Sequence, residues 1–377
     1  MCRCVLVLVA ALLFAARALA GSSGAVPLQL LPTGDIGGLL VVELQQGGRA
    51  SRWLIDTGSS RHLIAPALAK RLALPERGRV SADTAFGRVG GPEVALPPLA
   101  LGALPIAAAN ALVIDLRPLA GSIADDIDGV LGAPWLDEAS IEFDFAAWTI
   151  TASTTPLERC VDGLHELPVE RRRGVPVMTL AVEGGAPERV LFDTGNAAAL
   201  VRIEADDAPP ARGVPLPGVP AVLARATRVE LGPLLRREVP VAHLRAPALR
   251  AALPGDVAAL AGVALFEGAR LTLDLARRRA CVERGERTIP GGFGFTVDRQ
   301  RERLVVTAVL DDSPAHAAGL RAGDVIVSWA GVSAPASVAQ AWATMRDQAE
   351  LTLATERGGS ARVLSLRRAH FLPLLVP

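Results

Sequence analysis

The sequence predicts a mainly β protein in which two similar lobes form a pseudo-dimer and a small α+β domain follows them. Three observations favour this fold. One short motif occurs twice, at residues 53–59 and 190–196. The regions around both copies contain short Val- and Leu-rich runs separated by Gly and Pro, as in short strands joined by turns. After residue 291 the pattern changes to strands interleaved with two short helices. Half of the 377 residues are hydrophobic, enough for substantial cores.

The repeat is more than a single motif. Residues 53–59 read WLIDTGS and residues 190–196 read VLFDTGN. Each copy is followed later by two apolar residues and a glycine, at 130–132 and 260–262, and then by a short strand pattern that ends in Asp. A complete lobe pattern therefore occurs twice, which predicts a first lobe at 26–157 and a second at 160–289.

Within the lobes, the residue pattern predicts strands, turns and one helix. A helix is expected at 66–72, with Pro66 in its first turn. The Pro-rich segment 203–220 reads as a loop, so the second lobe is expected to lack that helix. The predicted strands lie at 39–44, 94–101, 177–182 and 271–275, and Gly-Gly pairs predict tight turns at 47–48, 90–91 and 184–185.

Two aspartates occupy equivalent places in the repeat, Asp56 and Asp193. Peptide hydrolysis without a metal or a covalent nucleophile needs an activated water and an acid for the leaving nitrogen. Two facing carboxylates provide both, because they cannot both ionise easily and share one proton. Paired carboxylates could also serve a glycosidase, but the repeated Thr-Gly context favours a peptidase pair.

The residues that follow each aspartate have expected supporting roles. The two threonines can hydrogen-bond across the lobe interface. The two glycines allow the backbone turn that brings amide groups near the carboxylates. Asn196, which follows the second glycine, can hydrogen-bond the outer oxygen of Asp193. These supporting residues are Thr57, Gly58, Ser59, Thr194, Gly195 and Asn196.

With these motifs, residues 27–289 resemble the retropepsin-like aspartyl proteases of bacteria. The resemblance implies that Asp56 and Asp193 are catalytic and that no cofactor is needed. It also implies peptide or protein substrates and a monomer, because both motifs lie on one chain. Three features leave open a peptide-binding protein without turnover: Asn196 follows the second motif, the chain contains no Tyr for a flap, and the second lobe is expected to be shortened. A flap is instead expected at the turn 88–91, with a second one near 213–220.

The C-terminal unit at 291–370 resembles a PDZ domain of bacterial periplasmic proteases. The resemblance rests on residues 292–295 (GFGF) and 312–326 (DSPAHAAGLRAGDVI). It implies that the loop Phe293, Gly294 and Phe295 binds a peptide's C-terminal carboxylate, with a groove-lining helix within 337–346. The alternative is a domain that only packs on the peptidase or gates its cleft.

The N-terminus and the cysteines bear on location. Residues 1–20 have the apolar run and small-x-small ending of a cleaved export signal, which predicts a periplasmic or extracellular protein without a stable membrane span. An uncleaved anchor is the alternative. Cleavage would leave Cys160 and Cys281, as one disulfide or two buried thiols. Their spacing predicts no metal site, and 39 basic against 39 acidic residues without a basic stripe argue against nucleic acid.

Overall fold

The structure is a computed structural model that describes residues 23–46, 48–84, 87–106, 109–117, 126–205, 208 and 211–375. The expected export signal lies outside these residues. None of the helices in the described ranges is long and apolar enough to cross a membrane. The architecture is mainly β, and a small domain follows two lobes, as the sequence predicts.

The first lobe contains strands β1 to β12 and one helix, α1 (Pro66–Arg71). The helix begins at Pro66, whose missing N–H costs nothing in a first turn. The strands are β1 Val26–Leu31, β2 Leu39–Gln46, β3 Arg49–Asp56, β4 His62–Ile64, β5 Glu76–Thr84, β6 Gly87–Ala95, β7 Leu99–Leu101, β8 Leu104–Ile106, β9 Asn110–Val113, β10 Gly129–Gly132, β11 Ser140–Asp144 and β12 Thr149–Ser153. A 3₁₀ turn lies at Ala133–Asp137.

The second lobe contains strands β13 to β24 and the helix α2 (Pro247–Ala252). The strands are β13 Leu164–Pro168, β14 Glu170–Arg172, β15 Val175–Val182, β16 Glu188–Phe192, β17 Leu200–Ile203, β18 Val214–Pro215, β19 Ala221–Leu231, β20 Leu234–Leu244, β21 Ala259–Ala261, β22 Arg270–Asp274, β23 Arg279–Glu283 and β24 Gly285–Thr288. A 3₁₀ turn lies at Val263–Leu265. In its described part, the expected loop 203–220 contains the last residue of β17 and the short strand β18.

The pairing pattern of the first lobe recurs in the second. Strand β3 runs parallel to β10, with Gly132 opposite Asp56. Strand β16 likewise runs parallel to β21, with Phe192 opposite Ala261. Strand β4 is parallel to β9 in the first lobe and β17 is parallel to β20 in the second. The sequence repeat therefore corresponds to a structural repeat.

The two lobes share a sheet and a core. Strand β11 of the first lobe pairs antiparallel with β22 of the second, and β22 continues through β23 to β13. Below this sheet, Phe143 meets Phe192 edge-on with ring centroids 5.9 Å apart. Aromatic contacts of this kind stabilise a core beyond their buried area. A disulfide joins Cys160 to Cys281 and so ties the segment between the lobes to β23.

The C-terminal domain has its own sheet and core. Its strands are β25 Phe295–Gln300, β26 Arg303–Val309, β27 Val325–Trp329, β28 Val332–Ser333, β29 Glu350–Arg357 and β30 Ser360–Arg367, and its helices are α3 Pro314–Ala317 and α4 Val338–Ala343. Trp329 and Trp342 pack edge-on at 5.1 Å in the core. Ser313 and Ser337 cap the two helices by accepting backbone N–H groups.

The C-terminal domain packs against both lobes. Helix α4 contacts β1, and Ala339 is buried among residues of the first lobe. Arg346 lies over the ring of Trp148 at 4.3 Å and pairs with Glu267 of the second lobe at 3.3 Å. The tail beyond β30 adds backbone hydrogen bonds to Arg225 of β19.

Two sequence expectations about the first lobe are wrong. Residues 90–91 do not form a turn, because Gly90 and Gly91 lie inside β6 opposite Ser81 and Val80. The pairing of β5 with β6 extends to Thr84 and Gly87, and residues 85–86 lie outside the described residues. The expected strand 94–101 is divided between β6 and β7, with an intervening segment at 96–98.

Candidate active site

Asp56 and Asp193 stand at matching strand ends. Asp56 is the last residue of β3, and Asp193 follows β16 directly. Each of these strands pairs with a parallel neighbour, β10 or β21, and an apolar-apolar-Gly run lies at the end of that neighbour. A Cβ on Gly132 would lie 2.1 Å from the carbonyl oxygen of Arg61, and one on Gly262 would lie 1.9 Å from that of Ala198. The repeated glycine is thus required by close backbone approach on both sides.

Two threonines lock the aspartate loops together across the lobe interface. Thr57 Oγ1 donates to the carbonyl of Phe192 at 2.6 Å, and Thr194 Oγ1 donates to that of Ile55 at 2.7 Å. Each hydroxyl also accepts the other threonine's N–H, at 3.1 and 3.0 Å. Both side chains are fully buried. This reciprocal set confirms the crossed hydrogen bonds expected from the motif.

The two carboxyl groups face one another in the gap that the glycines leave. A Cβ on Gly58 would lie 2.6 Å from Cγ of Asp193, and one on Gly195 would lie 2.6 Å from Cγ of Asp56. Any side chain at either glycine would displace the opposite carboxylate. Gly58 and Gly195 therefore do more than allow the expected backbone turn. Each leaves the space that the aspartate of the other lobe occupies.

Backbone amides stabilise both carboxylates: those of Gly58 and Ser59 for Asp56, and those of Gly195 and Asn196 for Asp193. Oδ1 of Asp56 accepts the N–H groups of Gly58 and Ser59, both at 3.0 Å. Oδ1 of Asp193 accepts that of Gly195 at 2.9 Å. Burial raises the pKa of Asp56. Burial, and then the charge of Asp56, raises the pKa of Asp193 well above its usual range. Such a pair shares one proton, and its titration belongs to the pair and not to either aspartate alone.

The residues after the two glycines do not bond the carboxylates through their side chains. Ser59 Oγ donates to the carbonyl of Arg61 at 2.8 Å. Asn196 binds the carbonyl of Leu260 at 3.3 Å and the N–H of Ala198 at 3.0 Å. The expected bond from Asn196 to the outer oxygen of Asp193 is not among the described contacts. Ser59 therefore stabilises its own loop, and Asn196 connects its loop to β21.

A cavity of about 420 Å³ surrounds the carboxylates. Its wall is largely apolar, which suits the side chains of an extended peptide. Arg173 stands at its rim and donates to the carbonyls of Ala252 and Leu253 at 3.3 Å each. The apolar wall comprises Leu39, Leu54, Leu63, Val130, Val175, Leu191, Leu249, Leu253 and Leu260.

The β5–β6 hairpin lies beside this cavity. Its strand β5 contacts α2, the helix that supplies Leu249 and Ala251 to the cavity wall. The hairpin is the candidate for the expected flap, and the predicted turn residues 90–91 lie inside β6. The second expected flap, near 213–220, corresponds to the short pairing of Val214 with Leu223 at the start of β19.

One buried residue near the dyad escaped the sequence reading. His62 is 2% exposed, and its Nδ1 accepts the N–H of Gly132 at 3.1 Å. Burial lowers the pKa of His62 to about 4, so the ring is neutral and supports the β10 end of the first lobe. An isolated His after a motif carries no signal for this role.

The loop expected to bind a peptide carboxylate already holds a carboxylate of this chain. Oδ2 of Asp35 accepts the N–H of Phe293 at 2.8 Å and that of Gly294 at 3.0 Å. Phe293 and Phe295 point their rings into the C-terminal core. Asp35 was missed by sequence reasoning, because 258 residues separate it from Phe293.

No group of three or more His, Cys, Asp or Glu side chains in the described part of the chain could hold a metal ion. Residues 42–135 match the aspartyl protease family, and residues 284–354 match the PDZ domain. A search of curated proteins found no match. The first match spans Asp56 and Gly132, whereas the second aspartate rests on the repeat and on its position opposite the first. The chain therefore carries a retropepsin-like aspartyl protease domain and a C-terminal PDZ domain.

Proposed function

We propose that this protein is an aspartic endopeptidase that hydrolyses peptide bonds with water activated between Asp56 and Asp193. The observation that carries the proposal is the mutual approach of the two carboxyl groups, each in the space that the opposite glycine leaves. The reciprocal threonine bonds keep the two loops in register. Both aspartates come from one chain, so the site is complete in a single copy.

The chemistry follows from the proton that the pair shares. In the proposed mechanism Asp56, whose Oδ1 accepts two amide N–H groups, is the ionised member and takes a proton from water as the water oxygen attacks the scissile carbonyl. Asp193 donates its proton to the carbonyl oxygen. When the C–N bond breaks, Asp56 gives its proton to the leaving nitrogen and the diol returns one to Asp193. Both carboxyl groups are then restored.

The cleft favours apolar side chains on either side of the scissile bond. Leucines and valines from both lobes make up nine of the twenty residues that line it, and burying apolar side chains of a substrate against them is favourable. Charged side chains next to the scissile bond would lose hydration without a described partner in the apolar part of the wall. The expected substrates are therefore extended peptides with hydrophobic residues at the cleavage point.

The test is cleavage of a peptide library with products identified by mass spectrometry. Asp56→Asn and Asp193→Asn should each reduce kcat/KM roughly 10³-fold or more, because either change removes the shared proton arrangement. Asp115→Asn is the matched control, since Asp115 is an exposed carboxylate paired with Arg117. Cleavage that survives both dyad substitutions would refute the proposal.

A second candidate function is peptide binding without turnover. The observation that favours it is that neither Ser59 nor Asn196 directs its side chain to a carboxylate. It predicts that the unsubstituted protein binds library peptides without cleaving them at any pH between about 3 and 8. Detection of cleaved products that disappear in Asp193→Asn would decide against this candidate.

A further inference from the structure

The contact between Asp35 and the PDZ loop has the form of a ligand in a binding site. Two consecutive backbone amides, of Phe293 and Gly294, donate to the same oxygen of Asp35. Gly294 has a φ of 79°, a left-handed conformation that lets neighbouring amides point in one direction. Successive amides arranged in this way form a concavity that binds anions, including terminal carboxylates.

The carboxylate of Asp35 fills the loop closely. A Cβ on Gly292 would lie 2.6 Å from Oδ2 of Asp35. Arg368 donates to the backbone carbonyl of Asp35 at 3.2 Å and to that of Gly291 at 2.9 Å, and its guanidinium lies over the Phe293 ring at 4.8 Å. Little room remains for a second carboxylate while Asp35 is bound.

The surrounding contacts place the first lobe at the loop end of the peptide groove. The groove-lining helix α4 contacts both β25 and β1, the strand that precedes the Asp35 segment. Leu31, at the end of β1, and Ala339 of α4 belong to one buried apolar cluster. The segment 32–38 thus meets the PDZ domain at the point where a peptide's C-terminus would arrive.

We propose that Asp35 is an internal ligand of the PDZ carboxylate loop, which the C-terminal carboxylate of a peptide must displace. The proposal concerns binding and does not depend on turnover. Because Asp35 is on the same chain, its effective concentration is high and it competes with any free peptide. A peptide binds with its terminal carboxylate on the amides of Phe293 and Gly294 only after the Asp35 side chain has left.

The experiment measures peptide binding to the whole chain with Asp193→Asn as background, so that no cleavage intervenes. The probes are two fluorescent decapeptide libraries, random in the last four positions. One library ends in a free carboxylate and the other ends in an amide. Asp35→Ala should lower the apparent Kd for the free-carboxylate library roughly tenfold or more and leave the Kd for the amide library unchanged, because amide-ended peptides can occupy only the cleft between the lobes. The apparent Kd of Asp35→Asn for the free-carboxylate library should lie between those of Asp35→Ala and of the chain that retains Asp35, because Asn keeps an acceptor oxygen without the charge.

Controls separate displacement from loss of folding. Asp162→Ala removes an exposed carboxylate between the two lobes and should leave Kd unchanged. Hydrogen exchange at residues 291–297 should quicken in Asp35→Ala while the core strands stay protected. If Asp35→Ala does not fold, Asp35→Asn carries the comparison. Equal binding with and without the Asp35 carboxylate, or no carboxylate-dependent binding by any variant, would overturn the proposal.

Discussion

The two lobes share the groups around the dyad and differ in what surrounds the cleft. Each contributes one aspartate, one threonine lock and one glycine that admits the opposite carboxylate. Around that centre the first lobe has a long hairpin, β5–β6, where the second has only the short pairing of β18 with β19. The second lobe instead places α2 on the cleft wall.

This difference separates two physical requirements. Two carboxylates can share a proton only in a narrow geometry, so both lobes need the same loop and the same parallel strand pair. Peptide recognition needs walls of suitable shape, which can come from a hairpin in one lobe and a helix in the other. We therefore assign the symmetric elements to the proposed chemistry and the asymmetric ones to the proposed substrate recognition.

The largest expected effect tests the symmetric part. Thr57→Val and Thr194→Val should each lower the free energy of unfolding by about 2–5 kcal/mol, because each leaves a buried carbonyl and a buried N–H without a partner. Cleavage should fall roughly 100-fold in both, since the two carboxylates lose their alignment. Chemical denaturation and peptide kinetics give the two values.

The relative size of the effects in the two threonine variants is as informative as their absolute size. Similar losses in both would show that the lock is shared equally by the lobes. Thr151→Val, at a partly exposed position of β12, is a matched substitution outside the interface and should have little effect. A large loss confined to one of the two interface threonines would contradict the equal roles assigned here.

A smaller effect should come from shortening the hairpin of the first lobe. Ala82 and Val89 are opposite one another, so residues 83–88 can be replaced by Asn-Gly, a turn that preserves the register. The KM for peptides should rise roughly tenfold, because the hairpin no longer reaches as far along the cleft, and kcat should change less.

The matched change in the second lobe replaces residues 217–219 by Gly-Ser-Gly. Since this hairpin is short, its alteration should leave the KM within about twofold. Steady-state kinetics on one fluorogenic peptide measures both variants. Equal increases in KM would mean that the second lobe's short hairpin also covers substrate, and the distinction drawn between the lobes would fail.

The smallest expected effect is a pH-dependent gain in stability. The pKa of Asp193 is raised in the folded protein, so its contribution to stability is largest below the unfolded pKa, near 3.8, and declines as pH rises through the folded value. Asp193→Asn removes the free-energy cost of ionising this buried carboxyl group at high pH. Its Tm should exceed that of the unsubstituted protein by a few degrees at about pH 8 and by less at about pH 3.5.

Asp144→Asn provides the control for that experiment, because Asp144 accepts the N–H groups of Ala146 and Ala147 in a turn away from the dyad. Removing its charge should lower the Tm or leave it unchanged at pH 8. A Tm difference for Asp193→Asn that does not grow with pH would contradict the raised pKa assigned to the pair.

Local patterns predicted the centre of the molecule well. The repeated Asp-Thr-Gly indicated both aspartates and the crossed threonine bonds, because a duplicated segment carries its strand pairing with it. Pro66 indicated where α1 begins. The predicted turn at 90–91 was wrong because glycine pairs also occur inside strands. There, a Cβ on Gly91 would lie 2.2 Å from the carbonyl oxygen of Val113.

Contacts between distant segments could not be read from the sequence. Nothing near Asp35 indicates the amides of Phe293 and Gly294, since the contact exists only once the C-terminal domain has docked. The hydrogen-bond partners of the Ser59 and Asn196 side chains could not be predicted either, because several nearby polar atoms could have served as partners. Side-chain hydrogen bonds of this kind depend on rotamers that the motif leaves undetermined.

Because of the disulfide between Cys160 and Cys281, a break in the backbone has different consequences in the two lobes. It encloses nearly the whole second lobe, including Asp193, in one covalent ring. A single cut anywhere between these cysteines leaves the two pieces joined, so the second lobe can survive one cleavage as a connected body. A cut in the first lobe, for example in the β5–β6 hairpin, has no such covalent tie, and the pieces are then held by packing alone.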